Sequence, residues 1–307
     1  NGGKVSKSSS EGYGHSGTGF ISFSDVTSSS SSSFTSNAPS SAQEEDVGLT
    51  PIYRGSDPEL AMSCKRMVKK DITTKLKSFN EVILLLQERS HLIHEFLPYF
   101  TYIFPRMFMD NDRKIREQLF VLLMTIVSLD KQTLTPYMKH LIGYWYIGTV
   151  DPCIEVRAMA LSSLEKAIPP RKREPVLLYL STSLLRQIRY FLDQKPETLS
   201  DMSHTSQDDA IERYERIYIS TIASISKLMS FLSSEGNKQL LDIDIDTSDR
   251  AERKSMLGYS LVLTSGVYKK LTSKKANFRK CTLELVISVI NALGPHIEKQ
   301  DHGDGKS

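Results

Sequence analysis

Apolar residues in the middle of the chain recur at spacings of three and four, the pattern of one face of an α-helix. The stripe after Asp71 consists of Ile72, Leu76, Phe79, Val82, Ile83 and Leu86. Comparable stripes begin at Ile115 and Val156, whereas the alternating pattern of a β-strand is scarce. The hydrophobic pattern therefore predicts an all-α protein.

Residues that start and stop helices place the predicted elements. Asp57 before Pro58, and Asp71 before an apolar stripe, are typical of helix N-termini. Further helices are predicted over about 174–193, 210–232, 251–271 and 277–293, the last ended by Gly294 and Pro295. Acidic segments near 195–209 and 235–249 carry no periodicity and are predicted to be surface loops.

A short pattern repeats along the chain: an acid, then five residues later an aliphatic residue followed at once by a base. Its three occurrences are Asp71/Leu76/Lys77, Asp110/Ile115/Arg116 and Asp151/Val156/Arg157, with spacings of 39 and 41 residues. A partial fourth, Phe278 and Arg279, has Ser273 in place of the acid. A period near 40 with two helices per unit is typical of HEAT or armadillo arrays, so the sequence predicts an α-solenoid.

The repeated charges suggest a structural role. An acid at a helix start complements the helix dipole, and a base beside a core residue projects sideways toward the next unit. We therefore expect an exposed ionic ladder in which each rung contributes ~0–1 kcal/mol. Its expected members are Asp71, Asp110, Arg116, Asp151 and Arg157.

The composition of the first 55 of the 307 residues differs from that of the rest of the chain. Residues 1–55 are rich in Ser and Gly and are predicted to be a disordered tail. Inside it, GFISF at 19–23 is either a chance cluster or a linear motif that orders on a partner. We predict HEAT-type repeats over 56–170, further solenoid helices over 171–295, and a frayed or truncated end over 296–307.

Charge is informative locally. The net charge is only +3, yet six bases lie between residues 65 and 77: Lys65, Arg66, Lys69, Lys70, Lys75 and Lys77. Such a cluster is either a phosphate-binding surface, which would include contact with RNA, or a solvated helix face. The residues alone leave both interpretations open.

The motifs of common enzymes are missing from the sequence. It has no GxSxG elbow, no phosphate-binding GxxxxGK[ST] or GxGxxG loop, and no HExxH beside His91 and His94. Its three cysteines are too far apart for a zinc module and fit a reducing compartment. No apolar run reaches the ~18 residues of a membrane span. We expect no catalytic residue, metal or cofactor in this chain, no membrane partner, and a cytosolic location.

Several strings resemble the N-terminal region of listerins, RING-type E3 ubiquitin ligases of ribosome-associated quality control. They are KKDITTKLKSF (69–79), DNDRKIRE (110–117), LTPYMKHLIGYWYIG (134–148) and GFISF in the tail. Their order and spacing agree with that family over about residues 17–175. The resemblance implies a ribosome-docking scaffold for a ligase that ubiquitinates nascent chains on stalled large subunits.

The resemblance also implies partners and limits. A listerin binds the large ribosomal subunit with a quality-control cofactor, and its C-terminal RING, with eight zinc ligands, engages an E2 enzyme. Three cysteines cannot supply that RING, so the chain is expected to be an N-terminal piece or a shortened relative. Lys69, Lys70, Lys75 and Lys77, flanked by Lys65 and Arg66, are the expected ribosome-facing residues. The alternative function is a free-standing solenoid adaptor for a protein partner, unrelated to ubiquitin.

Overall fold

Helices account for nearly all of the regular structure in the part of the chain that is described. The computed structural model describes residues 52–232 and 266–301, and these contain no strand. The α-helices are α1 (Pro58–Met67), α2 (Ile72–Glu88), α3 (Leu92–Phe108), α4 (Arg113–Leu129), α5 (Lys131–Leu134), α6 (Met138–Gly148), α7 (Ile154–Ala167), α8 (Arg173–Leu192), α9 (Pro196–Leu199), α10 (Gln207–Leu232) and α11 (Ala276–Asp301). Short 3₁₀ turns span Thr135–Tyr137, Pro170–Lys172 and Val267–Thr272. Within the same part, no helix is both long and apolar enough to cross a bilayer.

Aspartates begin the helices at the predicted places. The Asp57 carboxylate accepts a hydrogen bond from the Leu60 amide, and that of Asp71 accepts one from the Thr74 amide at 2.7 Å. Each bond satisfies an amide that the first helical turn would otherwise leave without an acceptor. The two predicted N-caps are confirmed.

The helices form two layers. Layer B is a row of α2, α4 and α7, in which each helix packs against the next. Layer A is a row of α3, α6 and α8, and α3 and α6 also pack on α4 and α7. Helix α10 packs on α6, α8 and α11. This stacking of helix pairs confirms the predicted α-solenoid.

An aromatic chain fills the space between the layers. The rings of Phe96, Phe100 and Phe104 on α3 follow one another at centroid distances of 5.6 and 5.4 Å. Phe104 also meets Phe120 of α4 edge to face at 5.9 Å. All four rings are fully buried. Such contacts add ~0.5–1.5 kcal/mol per pair to the hydrophobic gain, and the Phe104–Phe120 contact holds α3 against α4.

Helix α6 is tied to two neighbours in layer B. Fully buried Trp145 donates from Nε1 to the Ser163 hydroxyl at 2.9 Å and to the Ala160 carbonyl at 3.1 Å, both on α7. Gly148 lies against the Phe120 ring of α4, where an added Cβ would come within 2.3 Å of the ring. A side chain at position 148 would therefore displace α6 from α4.

Three predicted segments differ in the structure. The 195–209 segment contains one helical turn, α9, and α10 begins at Gln207 rather than 210. Helix α11 does not stop at Pro295 but continues to Asp301, because one missing amide does not break a long helix, as Pro98 and Pro105 show inside α3. The end of the helix predicted over 251–271 is instead a 3₁₀ turn. Gly266, which precedes that turn, has a left-handed conformation (φ 64°).

Some predictions lie outside the described residues. These are the disordered tail up to residue 51 with its GFISF motif, the acidic loop near 235–249, and residues 302–307 of the predicted frayed end.

Candidate functional site

Four of the expected lysines are exposed, and they lie near the junction of α1 and α2 along the chain. Lys65 lies on α1, Lys69 and Lys70 lie in the turn before α2, and Lys77 lies on α2. None of these amines pairs with a carboxylate of a described residue. We call Lys65, Lys69, Lys70 and Lys77 the α1–α2 lysine surface.

The turn that carries Lys69 and Lys70 is fixed from both sides. Buried Met67 anchors the last residue of α1 in the core, and the Asp71 carboxylate caps α2. Hydrogen bonds from Thr74 hold the pKa of the Asp71 carboxyl below its usual value, so it is charged at neutral pH. Asp71 forms no ion pair with a described base, so it acts as a helix cap and not as the expected ladder rung.

Two of the six expected binding residues are used inside the fold instead. Arg66 donates to Glu81 at 2.8 Å, which joins α1 to α2. The amine of Lys75 lies 2.6 Å from Asp110 Oδ2, and its side chain is 13% exposed, so its charge is paired within the fold. A lysine whose charge is already balanced by a carboxylate beside it binds a phosphate more weakly than an unpaired lysine does.

The central pair of the expected ladder, Arg116 and Asp151, is present in the structure but is buried. Arg116 on α4 donates from Nε and Nη2 to the Asp151 carboxylate at 3.1 and 3.3 Å. Its Nη1 donates to the carbonyls of Asp110 and Asn111 at 3.0 and 2.8 Å. Because Arg116 and Asp151 are almost without solvent exposure, this rung differs from the exposed one that the sequence suggested. All three nitrogens of the guanidinium donate hydrogen bonds, as burial of a charge requires.

A second arginine completes this cluster from far along the chain. Arg216 on α10 approaches Asp151 with Nη1 at 3.6 Å and donates from Nη2 to the carbonyls of Phe108 and Asp110 at 3.4 and 3.3 Å. Burial, and then the nearby Arg116 charge, lower the pKa of Arg216 to about 9, which keeps it charged at neutral pH. No sequence pattern indicates Arg216, since a contact across more than a hundred residues leaves no local signal.

The repeat has a more regular register than the sequence suggested. In each unit the base is the fourth residue of its helix, and in the first unit that residue is Lys75, not Lys77. Lys75, Arg116 and Arg157 are then separated by 41 residues each. Arg157 itself is exposed and pairs with no described carboxylate, so the ladder does not continue there.

Arg279 repeats the geometry of Arg116 on α11. Its Nη1 donates to the carbonyls of Ser273 and Lys274 at 2.7 and 3.0 Å, six and five residues earlier in the chain. Arg116 binds the carbonyls six and five residues before it in the same way. The partial fourth occurrence of the sequence pattern is therefore a repeat start in three dimensions.

Metal binding has no support in the part of the chain described. No group of three or more His, Cys, Asp or Glu side chains is placed there to hold an ion. His91 and His94 are both exposed. The described residues therefore do not fit the zinc sites of a RING.

A comparison with known protein families matches most of the chain. A family model described as the N-terminal domain of the E3 ubiquitin-protein ligase listerin matches residues 55–302. The chain belongs to the listerin family. The match includes the α1–α2 lysine surface, the ladder and α11, and so extends past residue 175, where the sequence motifs ended.

Individual listerins agree at low identity over most of the solenoid. The Gallus gallus listerin is 28% identical over 198 residues, which cover 62% of this chain and 11% of the relative. Corresponding values are 26%, 61% and 11% for Mus musculus, and 24%, 70% and 13% for Schizosaccharomyces pombe. The chain thus spans about an eighth or less of the length of these listerins. Each of these relatives is named an E3 ubiquitin-protein ligase.

Proposed function

We propose that this listerin N-terminal domain docks on the large ribosomal subunit through the α1–α2 lysine surface. The observation that carries the proposal is that Lys65, Lys69, Lys70 and Lys77 are exposed and unpaired with described acids, while Arg66 and Lys75 beside them are neutralised. Lysines that neutralise phosphates release counterions, which favours binding to ribosomal RNA. Lys69 and Lys70 lie on a turn that is capped and anchored, so the backbone that carries them is positioned before contact.

In this proposal the domain supplies geometry and not chemistry. Docking would hold a RING-type ligase in the cytosol on a stalled large subunit, together with the quality-control cofactor of that subunit. Ubiquitin would be transferred to the nascent chain by an E2 enzyme that the RING engages, with zinc as a structural component of the RING. The solenoid suits this role, because stacked repeats transmit a fixed orientation along their length.

Co-sedimentation with purified 60S subunits tests the docking surface. The variant replaces Lys69, Lys70 and Lys77 with Glu; Lys75 is kept, because its loss would disturb the ladder. A matched control replaces exposed Lys114, Lys166 and Lys274 with Glu, which changes the net charge equally.

We expect the first variant to bind at least ~10-fold more weakly and the control to bind like the wild type. The slope of log affinity against log salt should also fall by nearly one unit for each lost phosphate contact. Equal sedimentation of both variants, with unchanged helical circular dichroism, would refute docking through this surface.

A further inference from the structure

Two neighbouring threonines in the first turn of α2, Thr73 and Thr74, differ in what their hydroxyl groups contact. Thr74 is half-buried, and both its amide and its hydroxyl bond to the Asp71 carboxylate. Thr73 is exposed, and no described residue forms a hydrogen bond with its hydroxyl. Thr73 therefore presents a free hydroxyl group to solvent, whereas the hydroxyl of Thr74 belongs to the helix cap.

Lysines flank the Thr73 hydroxyl on both sides along the chain. Lys69 and Lys70 lie four and three residues before it, in the exposed turn that leads into α2. Lys77 follows four residues after it, one helical turn away on the same face of α2. Thr73 thus lies between members of the α1–α2 lysine surface and beside one of them on the helix.

A protein kinase with an acidic substrate groove would recognise this arrangement. Charge complementarity brings a segment with bases on both sides of its hydroxyl into such a groove. The segment must also open to enter the kinase. Residues 69–73 are all exposed, and the first turn of a helix frays more readily than its middle. The hydroxyl is therefore accessible to the enzyme.

We propose that Thr73 is a phosphorylation site and that its phosphate weakens binding at the α1–α2 lysine surface. Thr73 Oγ1 attacks the γ-phosphorus of ATP, the bond from that phosphorus to the bridging oxygen of ADP breaks, and the hydroxyl proton passes to the catalytic base of the kinase. ADP leaves, and a phosphate with a charge of about −1.5 to −2 remains on the threonine. This charge would offset about half of that of the four lysines.

The structure around Thr73 can hold a phosphate. The helix dipole favours an anion in the first turn of a helix. Lys77 lies on the same face, so its amine can pair with the phosphate oxygens. The nearest acid along the chain, Asp71, is already held by the Thr74 amide at 2.7 Å. The phosphate would thus compete with ribosomal RNA for the lysines, an effect that rests on the docking proposed above.

Mass spectrometry of the full-length protein, purified from its own cells with phosphatase inhibitors, tests the modification. Trypsin cleaves after Lys70 and Lys75, so it releases residues 71–75 as one peptide. Fragmentation of this peptide separates a phosphate on Thr73 from one on Thr74, and we expect it on Thr73. Absence of the phosphorylated peptide, or a phosphate on Thr74 alone, would overturn the proposal.

A titration followed by ³¹P NMR tests the contact with lysine without the ribosome. The 307-residue chain is made with phosphothreonine incorporated at position 73 during translation. A nearby cation lowers the pKa of a phosphate, so Lys77→Met should raise the pKa of this phosphate. Lys114→Met, at an exposed position on α4, is the control and should leave it unchanged. The same pKa in all three chains would show that the phosphate does not engage the lysine surface and would overturn the proposal.

Co-sedimentation with 60S subunits tests the effect on docking. We expect the chain with phosphothreonine at position 73 to bind ~10-fold more weakly than the unmodified chain, because paired lysines no longer neutralise RNA phosphates. Phosphoserine at position 162, an exposed serine on α7, adds the same charge and should have no effect. Thr73→Val removes the acceptor without adding charge and should bind like the wild type.

The three-lysine variant described above separates the two proposals. If it binds 60S subunits weakly while the phosphorylated chain binds normally, the effect assigned to the phosphate is wrong. If it binds normally, docking through the lysines is wrong, and the ³¹P titration alone decides whether the phosphate occupies them.

Discussion

Lys75 Nζ and Asp110 Oδ2 lie 2.6 Å apart and join α2 to the loop before α4. Arg116 and Asp151 make the same link one unit later, and in both pairs the base precedes the acid by 35 residues. The pairs differ in solvation, with side chains 13 and 17% exposed in the first and 4 and 1% exposed in the second. Since water screens the first pair more, the two rungs should contribute unequally to stability.

Removal of the buried acid should be costly. Asp151→Ala leaves the guanidinium groups of Arg116 and Arg216 without their shared carboxylate in a site that water hardly reaches. Loss of one partner of a buried pair costs ~3–5 kcal/mol. Urea unfolding followed by circular dichroism measures this loss. Arg157→Ala, the equivalent base of the next unit but exposed, is the control and should stay within ~0.5 kcal/mol.

Variants of Lys75 and Lys77 distinguish the two possible registers of the repeat, in which one or the other lysine is the base of the first unit. Lys75→Met should lower the free energy of unfolding by about 1–3 kcal/mol, between the values for exposed and buried pairs. Lys77→Met removes an exposed amine without a described partner and should change it by less than ~0.5 kcal/mol. The opposite order of the two losses would show that the ladder runs through Lys77.

Lys270 is held by aromatic rings at the junction of α10 and α11. Its Nζ lies 5.5, 5.0 and 4.9 Å from the ring centres of Tyr214, Tyr218 and Phe278. Lys270→Met keeps the apolar stem but removes the charge, so thermal unfolding should report a loss of ~0.5–2 kcal/mol. Lys269→Met, at the exposed neighbouring position, is the control. A loss of the same size in both variants would argue against the cation–π contribution.

The contact of Tyr53 and Ser56 with Glu95 on α3 should weaken as the pH falls. Glu95 accepts hydrogen bonds from the Ser56 amide at 2.8 Å and the Tyr53 hydroxyl at 3.1 Å, and these bonds, the amide first, lower its pKa. A carboxyl with a lowered folded-state pKa stabilises the fold above its unfolded pKa and loses that effect as pH falls through the folded value. The difference in urea midpoint between wild type and Glu95→Gln should therefore shrink from pH 6 to pH 3. A constant difference would exclude the linkage.

The helices and their period were accessible from sequence because buried stripes and capping aspartates are local signals. The first register was wrong by two residues for a physical reason. Asp71 is the capping residue of its helix, as Asp112 is for α4, whereas Asp110 lies two residues before the cap. An aspartate that caps and one that receives a base look alike in sequence. Only the contact partner distinguishes them, so the sequence pattern indicates Lys77 where the structure pairs Lys75.

The charge cluster was predictable as a region but not residue by residue. Six bases between positions 65 and 77 marked the surface, and four of them are exposed. Whether a base faces water or an acid depends on what the next repeat brings beside it. Glu81 and Asp110 neutralise two members because folding places them there, at separations of 15 and 35 residues.

Arg216 should change the order in which the units of the solenoid unfold. Solenoids whose units touch only their nearest neighbours lose structure from the ends inward, one unit at a time. Here the Arg216 guanidinium on α10 donates to the carbonyls of Phe108 and Asp110 at the end of α3, which lie 108 and 106 residues earlier in the chain. It also pairs with the Asp151 carboxylate before α7. The middle units therefore share one set of bonds with a late helix, and they should melt together in a single cooperative step.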